Sequence, residues 1–321
     1  SEEPQSQFTK TLLIVEVSCA SSLLGFFVIL GQKVLTIGSP AYRAGSTFLN
    51  ANYYGAITVL VVLLSIYKMI QPEQKHWQRY LLIAAMNMGG LCLSDCRSAM
   101  AALAVAVIVM LALNKRFHML GILLGIEALA VVAVCLSPAI MPRIHDAGVD
   151  LVYRLSIWQT AVKGFLEHPF FGQGGGAYRL IFAKFGGPDE MHAHSLFLDP
   201  LLNFGIIGTA IFAIYFKSSL RSIRNMLDHP QDLQRFFLMA AVLVCVVIHG
   251  VTDITVFSVQ TGLLVSVLMG VAGIRKNQPE TAARAYAGVI WRDMGGGRGI
   301  RLPEVSVMSK GRSFLSHQPP K

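Results

Sequence analysis

Tyr80–Asn114 reads YLLIAAMNMGGLCLSDCRSAMAALAVAVIVMLALN, a run of 35 residues whose only charged interruption is Ser94-Asp95-Cys96-Arg97-Ser98. As a single helix rising about 1.5 Å per residue, it would overshoot a hydrocarbon core of about 30 Å by a wide margin. The run therefore folds back once, and the turn belongs at the charged interruption. Two rather short spans joined by a tight turn result.

The same reading extends in both directions. Leu12–Leu30 and Tyr54–Met69 are apolar spans before this pair, and Met119–Leu136, Leu196–Phe216, Phe236–Val251 and Phe257–Ile274 follow it, giving eight in all. With 54% hydrophobic and 14% charged residues the chain is outside the soluble class. The expected fold is an all-α polytopic membrane helix bundle over residues 1–274, with one long external loop at 137–194. Residues 275–321, with Gly295-Gly296-Gly297 and Pro319-Pro320, form a basic, disordered cytoplasmic tail. No internal repeat is visible. The net charge of +9 lies in short runs between apolar blocks, a topology signal that argues against nucleic acid as a partner. Cys19, Cys92, Cys135 and Cys245 fall in apolar segments and Cys96 in the turn, so neither a disulfide frame nor a zinc site is expected. The opening Ser1-Glu2-Glu3-Pro4 has no Met or signal pattern, as in a processed or partial chain.

Orientation follows from Lys and Arg near the span ends. Lys10, Lys68, Lys75, Arg79, Lys115, Arg116, Lys217, Arg221, Arg224, Arg235, Arg275, Lys276, Arg284 and Arg292 collect on one side, which is therefore expected to be cytoplasmic and to hold both termini. The opposite side has Lys33, Arg43, Arg97, Arg143, Arg154, Lys163, Arg179 and Lys184. These cations oppose the usual bias, which makes them candidates for function.

In the loop, Leu151, Leu155, Trp158, Val162 and Phe165 form an apolar stripe of helical period, with Gln159, Thr160, Lys163 and Glu167 opposite. The expected amphipathic helix lies on the membrane interface or packs on the spans. Arg154 at the stripe's edge is either an interfacial snorkelling side chain or a phosphate clamp. His168-Pro169-Phe170-Phe171-Gly172-Gln173-Gly174-Gly175-Gly176 is a Pro stop and a glycine cluster before a short helical run at Ala177–Lys184. A tight turn is the favoured reading over an anion cradle. His192 and His194 lack a third ligand of obvious spacing, so no metal is expected. Below them Gly205-Ile206-Ile207-Gly208 offers small residues where another helix can approach closely.

His194-Ser195, nine residues, then Gly205-x-x-Gly208 resembles the histidine motif of the O-antigen ligase family, which also contains polysaccharide polymerases. Three further pieces are similar to that superfamily's pattern: Arg43 to Asn52 before a span, Ser94 to Ser98 at a hairpin turn, and Arg154-x-x-x-Trp158 ahead of Pro169-x-x-Gly172-x-Gly174. His249 and Asp253 near the end of a later span complete the set. Cys96 stands where the family more usually has Ser, and the family's larger number of spans implies further N-terminal helices before this chain. The resemblance implies a metal-independent inverting transferase of polysaccharide or lipopolysaccharide biosynthesis in the bacterial inner membrane, its active site facing the periplasm. A glycan would pass from a polyprenyl diphosphate carrier such as undecaprenyl diphosphate to a hydroxyl of a glycan, a lipid A core or a protein. No cofactor is implied.

For that chemistry His194 suits the general base, since its unperturbed pKa is about 6.5. Arg154, then Arg97, then Arg43 suit the developing diphosphate charge. Trp158, His192, His249 and Asp253 complete a substrate-binding set with Arg43. His249 and Asp253 are expected one turn apart on one helix face, where Asp253 orients His249, holds a cation, or the pair joins helices structurally. The competing reading is a transporter or channel for an anionic solute.

Overall fold

In the computed structural model the described residues are Phe27, Arg43, Gly45, Phe48, 50–71, 75–136, 147–228, 232–254, 257 and 259–272. The expected span Leu12–Leu30 apart from Phe27, together with Lys33, the loop stretch 137–146 and the tail 275–321, lies outside them. Among the described residues all regular structure is helical. The α-helices are α1 (Ala51–Met69), α2 (Trp77–Ser94), α3 (Arg97–Leu113), α4 (Phe117–Leu136), α5 (Ala147–Glu167), α6 (Ala177–Ile181), α7 (Leu198–Asn225), α8 (Leu233–Thr252) and α9 (Val259–Ala272). Three are long and apolar enough to cross a membrane: α1, α8, and α7 with its 3-10 extension to Asp228. Arg97–Leu113 and Phe117–Leu129 are shorter apolar helices.

α1 is the centre of the bundle. Its first turn is closed by Asn50, in extended conformation, whose side chain accepts from the N–H groups of Asn52 (2.8 Å) and Tyr53 (3.3 Å). Two of the donors that every helix start leaves open are thereby satisfied. Val59, Leu60, Val61, Val62, Leu63 and Leu64 are all buried, so α1 has neighbours on every side. α2, α3 and α8 supply them. A Cβ added at Gly55 would stand 2.8 Å from Cys96 Cβ, so the absence of a side chain there sets how closely α1 meets the start of α3.

The chain does turn at the charged interruption, where Asp95 takes a left-handed conformation (φ 49°) before Cys96. The two helices do not then pack along each other. α2 lies on α1 and α3 lies on α8, so the pair diverges from its turn. α4 packs on α3 and leaves Phe117, Ile122, Ile126 and Leu129 exposed, as a lipid-facing helix would.

A second, smaller core joins α5, α6 and the head of α7 through Ile157, Ala161, Ala177, Tyr178, Ile181, Ala193 and Leu202. The face of α5 that packs on α6 and α7 lies beside the expected stripe. Ile157, Thr160 and Ala161 point inward, whereas Leu151, Leu155 and Val162 are exposed. Trp158 of the expected stripe packs against this core too, so the two faces overlap.

Gly205 also differs from the expectation. It breaks α7 with φ 64° and ψ −169°, a region open almost only to glycine. What approaches is not a helix but the Pro169–Gly174 loop. Ile206 N–H donates to Pro169 O (2.8 Å) and Ile207 N–H to Phe170 O (3.1 Å); in return Gln173 and Gly174 donate to the carbonyls of Leu202 (2.8 Å) and Asn203 (2.9 Å). A Cβ on Gly205 would collide with the Phe170 carbonyl, and one on Gly172 (φ 73°) with the Asn203 backbone. The glycine cluster is a clasp, and the N–H groups of Gln173 and Gly174 are committed to it rather than open to an anion. Gly205→Ala is expected to weaken this junction by at least about 1–3 kcal/mol of backbone strain. The readouts are a lower unfolding temperature in detergent and faster proteolysis between residues 168 and 176.

Candidate functional site

At one end of the bundle, where α1 and α3 begin and α8 ends, α5 and the loop before α7 close over a cavity of about 520 Å³. Arg43, Arg97, Arg154 and His194 line it, with Asn52, Asp95, Cys96, Ser98, Asp150, Tyr153 and Glu190. Three arginines distant in sequence thus reach one space, and their states differ.

Arg43 is held in place: its Nε donates to Ser94 O (3.2 Å), and its Nη2 donates to Asn52 Oδ1 (2.7 Å) and Asp95 O (3.4 Å). Arg97, at the start of α3, is ion-paired with Asp150 in the first turn of α5. Arg154 is different. Its Nη1 is buried with no hydrogen-bond partner among the described residues. The side chain lines the cavity, and a buried guanidinium nitrogen without a hydrogen bond is costly. An anion in the cavity would remove that cost, most readily one with two oxygens for the planar fork.

His194 sits in the left-handed region (φ 44°), with each ring nitrogen facing a carboxylate. Nε2 is 3.3 Å from Glu190 Oε2, and Nδ1 is 3.5 Å from Asp253 Oδ1, an electrostatic contact too poorly aligned for a hydrogen bond. Burial by itself would lower the proton affinity of the ring, but Asp253 and then Glu190 outweigh it, and His194 titrates above its ordinary value. Its neighbour moves the other way: burial, then the charge on His194, push His192 down to about 4. The rings lie 4.2 Å apart, and the His194 N–H donates to His192 Nδ1 (3.3 Å). Of the two rings, His194 is thus the one that takes a proton first as the pH falls.

Asp253 is reached differently from the expected one-turn pairing with His249. The helix stops at Thr252 and Asp253 is extended (φ −157°), so its carboxylate turns away to His194 and to Asn52 Nδ2. Burial would raise this carboxyl, but His194, then His249, and the Ile254 N–H hold it well below the usual carboxylate range. His249 instead meets Ser98 Oγ through Nδ1 (3.1 Å), a polar tie between α8 and α3. Arg43, Asn52, Asp253 and His194 form one connected chain.

Of the expected site residues, Arg43, Arg97, Arg154 and His194 line the cavity, while Trp158, His192, His249 and Asp253 do not. Trp158 Nε1 donates to the His194 carbonyl (3.4 Å), supporting the strained residue from below. Glu190, Asp150 and Tyr153, whose hydroxyl donates to Glu190 Oε1 (2.9 Å), were not singled out by the sequence. Glu190 is four residues before His194, but that spacing signals a pair only on a helix, and this segment is not helical. His192, His194 and Asp253 each offer an atom within 4.8 Å of the others, so folding supplies the third potential metal ligand that sequence spacing did not show.

Among the described residues, apolar helices of membrane length with Arg43, Arg97 and Arg154 gathered in a cavity at one end mark a membrane protein. Residues 80–213 match the family model of O-antigen ligase, which supports the O-antigen ligase and polymerase superfamily that the motifs resemble. The match runs from α2 into α7 and includes Arg97, Arg154, His194 and Gly205, with Arg43 and Asp253 beyond its ends. No curated protein matches the chain. The family implies membrane glycan chemistry of the ligase or polymerase type, with glycan and lipid-linked substrates in general.

Glu190→Gln removes one of the two carboxylates facing His194, so the imidazole pKa is expected to fall toward the ordinary value. Histidine-selective 15N NMR titration of wild type and variant reads this directly.

Proposed function

We propose that this protein transfers a glycan from a polyprenyl diphosphate carrier to an acceptor hydroxyl, without a metal and with inversion at the anomeric carbon. In the proposed setting the chain lies in a bacterial inner membrane with both termini cytoplasmic and the cavity facing the periplasm. The observation that carries the reading is Arg154, whose buried Nη1 has no hydrogen-bond partner among the described residues, in a cavity shared with Arg43, Arg97 and His194. A diphosphate is the substrate group such a cavity would bind, and a transferase is the activity in which its charge rises as a bond breaks.

The step is a single displacement. The acceptor oxygen attacks the anomeric carbon, and its proton passes to His194 Nε2 as the bond from that carbon to the diphosphate oxygen breaks. Attack from the face opposite the leaving group inverts the centre. Arg154 takes the growing charge, with Arg97 able to turn from Asp150 and share it. Arg43, fixed by Asn52 and two carbonyls, shapes the wall, and Trp158, His192, His249 and Asp253 place the groups that touch substrate. Asp253 and Glu190 favour the protonated imidazolium, which makes His194 a stronger acceptor but leaves it already protonated at low pH. Base catalysis needs the neutral ring, so kcat/KM should rise with pH through a midpoint above the ordinary histidine value. In Glu190→Gln that midpoint should move down.

The assay is transfer in proteoliposomes supplied with a polyprenyl diphosphate glycan and acceptor, with chelator present. Arg154→Ala is expected to lower kcat/KM by on the order of 10²–10³, and His194→Ala by about 10²–10⁴. Unchanged turnover in both variants would remove these residues from the site. Anion flux without glycan transfer would favour the transporter reading instead. Growth of the chain from donor alone marks a polymerase, and a strict need for a lipid A core or protein acceptor marks a ligase.

A further inference from the structure

The Pro169–Phe171 turn carries two large apolar side chains that neither core uses. Phe170 is 64% exposed and Phe171 76%. The turn is not a loose tip, because the carbonyls of Pro169 and Phe170 accept from the N–H groups of Ile206 and Ile207. It is therefore fixed beside the point where the outer face of α7 becomes apolar: Ile206, Ile207 and Ile211 are 50%, 43% and 64% exposed. That face belongs to a helix long and apolar enough to cross a membrane, and only 28% of its most apolar window is buried within the protein. Lipid is what covers such a surface. The two backbone bonds from Ile206 and Ile207 tie the turn that carries Phe170 and Phe171 to the same stretch of α7, and Leu166 in the last turn of α5 is 65% exposed as well.

The geometry points to the Phe170–Phe171 turn as a lipid-inserted wedge, docked in the interfacial layer of the bilayer where α7 enters the membrane. Its occupant is phospholipid, and the proposal is independent of the glycan-transfer reading. The wedge sets the height of the cavity. Gln173 and Gly174 bond to Leu202 and Asn203, Asn203 Nδ2 donates to Asp199 Oδ2 (2.7 Å), and Asp199 Oδ1 accepts from Ala193 N–H (2.9 Å), next to His194. Hydrogen bonds thus run from the loop through Gly174, Asn203 and Asp199 to the backbone of Ala193, the residue before His194, so that a lipid-borne group entering the cavity would meet the imidazole at a fixed depth.

The test is photo-crosslinking in proteoliposomes of phosphatidylethanolamine and phosphatidylglycerol containing tritiated phosphatidylcholine. p-Benzoylphenylalanine replaces Phe171 in one preparation and Ile211, on the body of α7, in another. Lipid adduct at position 171 within about threefold of that at 211 is the expected result, as for two side chains in the same bilayer. A smaller yield, which means water, or a predominant adduct with a second copy of the chain, overturns the proposal. Phe171→Trp gives an independent reading: brominated phospholipid should quench the added fluorescence, and unchanged emission overturns the wedge as well.

Discussion

The Asp253 carboxylate is 1% exposed and charged, and the arrangement of the cavity depends on keeping it so. Removing an ionised carboxylate from water costs several kcal/mol unless partners replace the lost solvation. Here the partners come from three places: Asn52 at the start of α1, His194 in the loop before α7, and the Ile254 N–H just beyond α8. Asn52 passes the constraint on to Arg43, and Arg43 to the carbonyls at the α2–α3 turn. One buried charge therefore holds the ends of the central helices in register with the imidazole.

Much of the bundle was legible because apolar runs bounded by Lys and Arg report span-like helices without reference to partners. The turn at Asp95 and Cys96 was visible for the same reason, being the one charged break in a long apolar run. Which helix each arm packs on was not, since α2 and α3 are apolar on more than one face. α5 offered two stripes of similar period, and only contact with α6 and α7 chose Ile157 and Ala161 over Leu151 and Leu155. Gly205 was legible as important and misread in kind, because small residues in an apolar helix usually signal helix contact. The cavity's arginines could be expected from their sequence position against the charge bias. Its carboxylates could not: Asp150 is 53 residues from Arg97, and Asp253 reaches His194 only because the helix ends one residue earlier.

Two cores meet at this cavity. The larger belongs to α1, α3, α8 and α9, the smaller to α5, α6 and the head of α7. They are joined where Leu196 N–H donates to Gly250 O (2.7 Å) and where the Leu196 side chain lies against Gly250, which leaves no room for a Cβ. The bundle contributes Arg43, Arg97 and Asp253, and the smaller core contributes Arg154, Glu190 and His194. The broken helix α7 is shared by both, its head in the small core and its shaft along the bundle.

His194 is held at φ 44°, a conformation that a side chain with a Cβ adopts reluctantly, by the Trp158 contact below and the carboxylates at either nitrogen. A glycine at this position would relax the backbone while deleting the ring. The ring is also a partner of the buried Asp253 carboxylate, so what a glycine would gain in backbone freedom it would lose by leaving that charge short of a partner: position 194 stands under two opposed demands, and the buried charge makes the larger one.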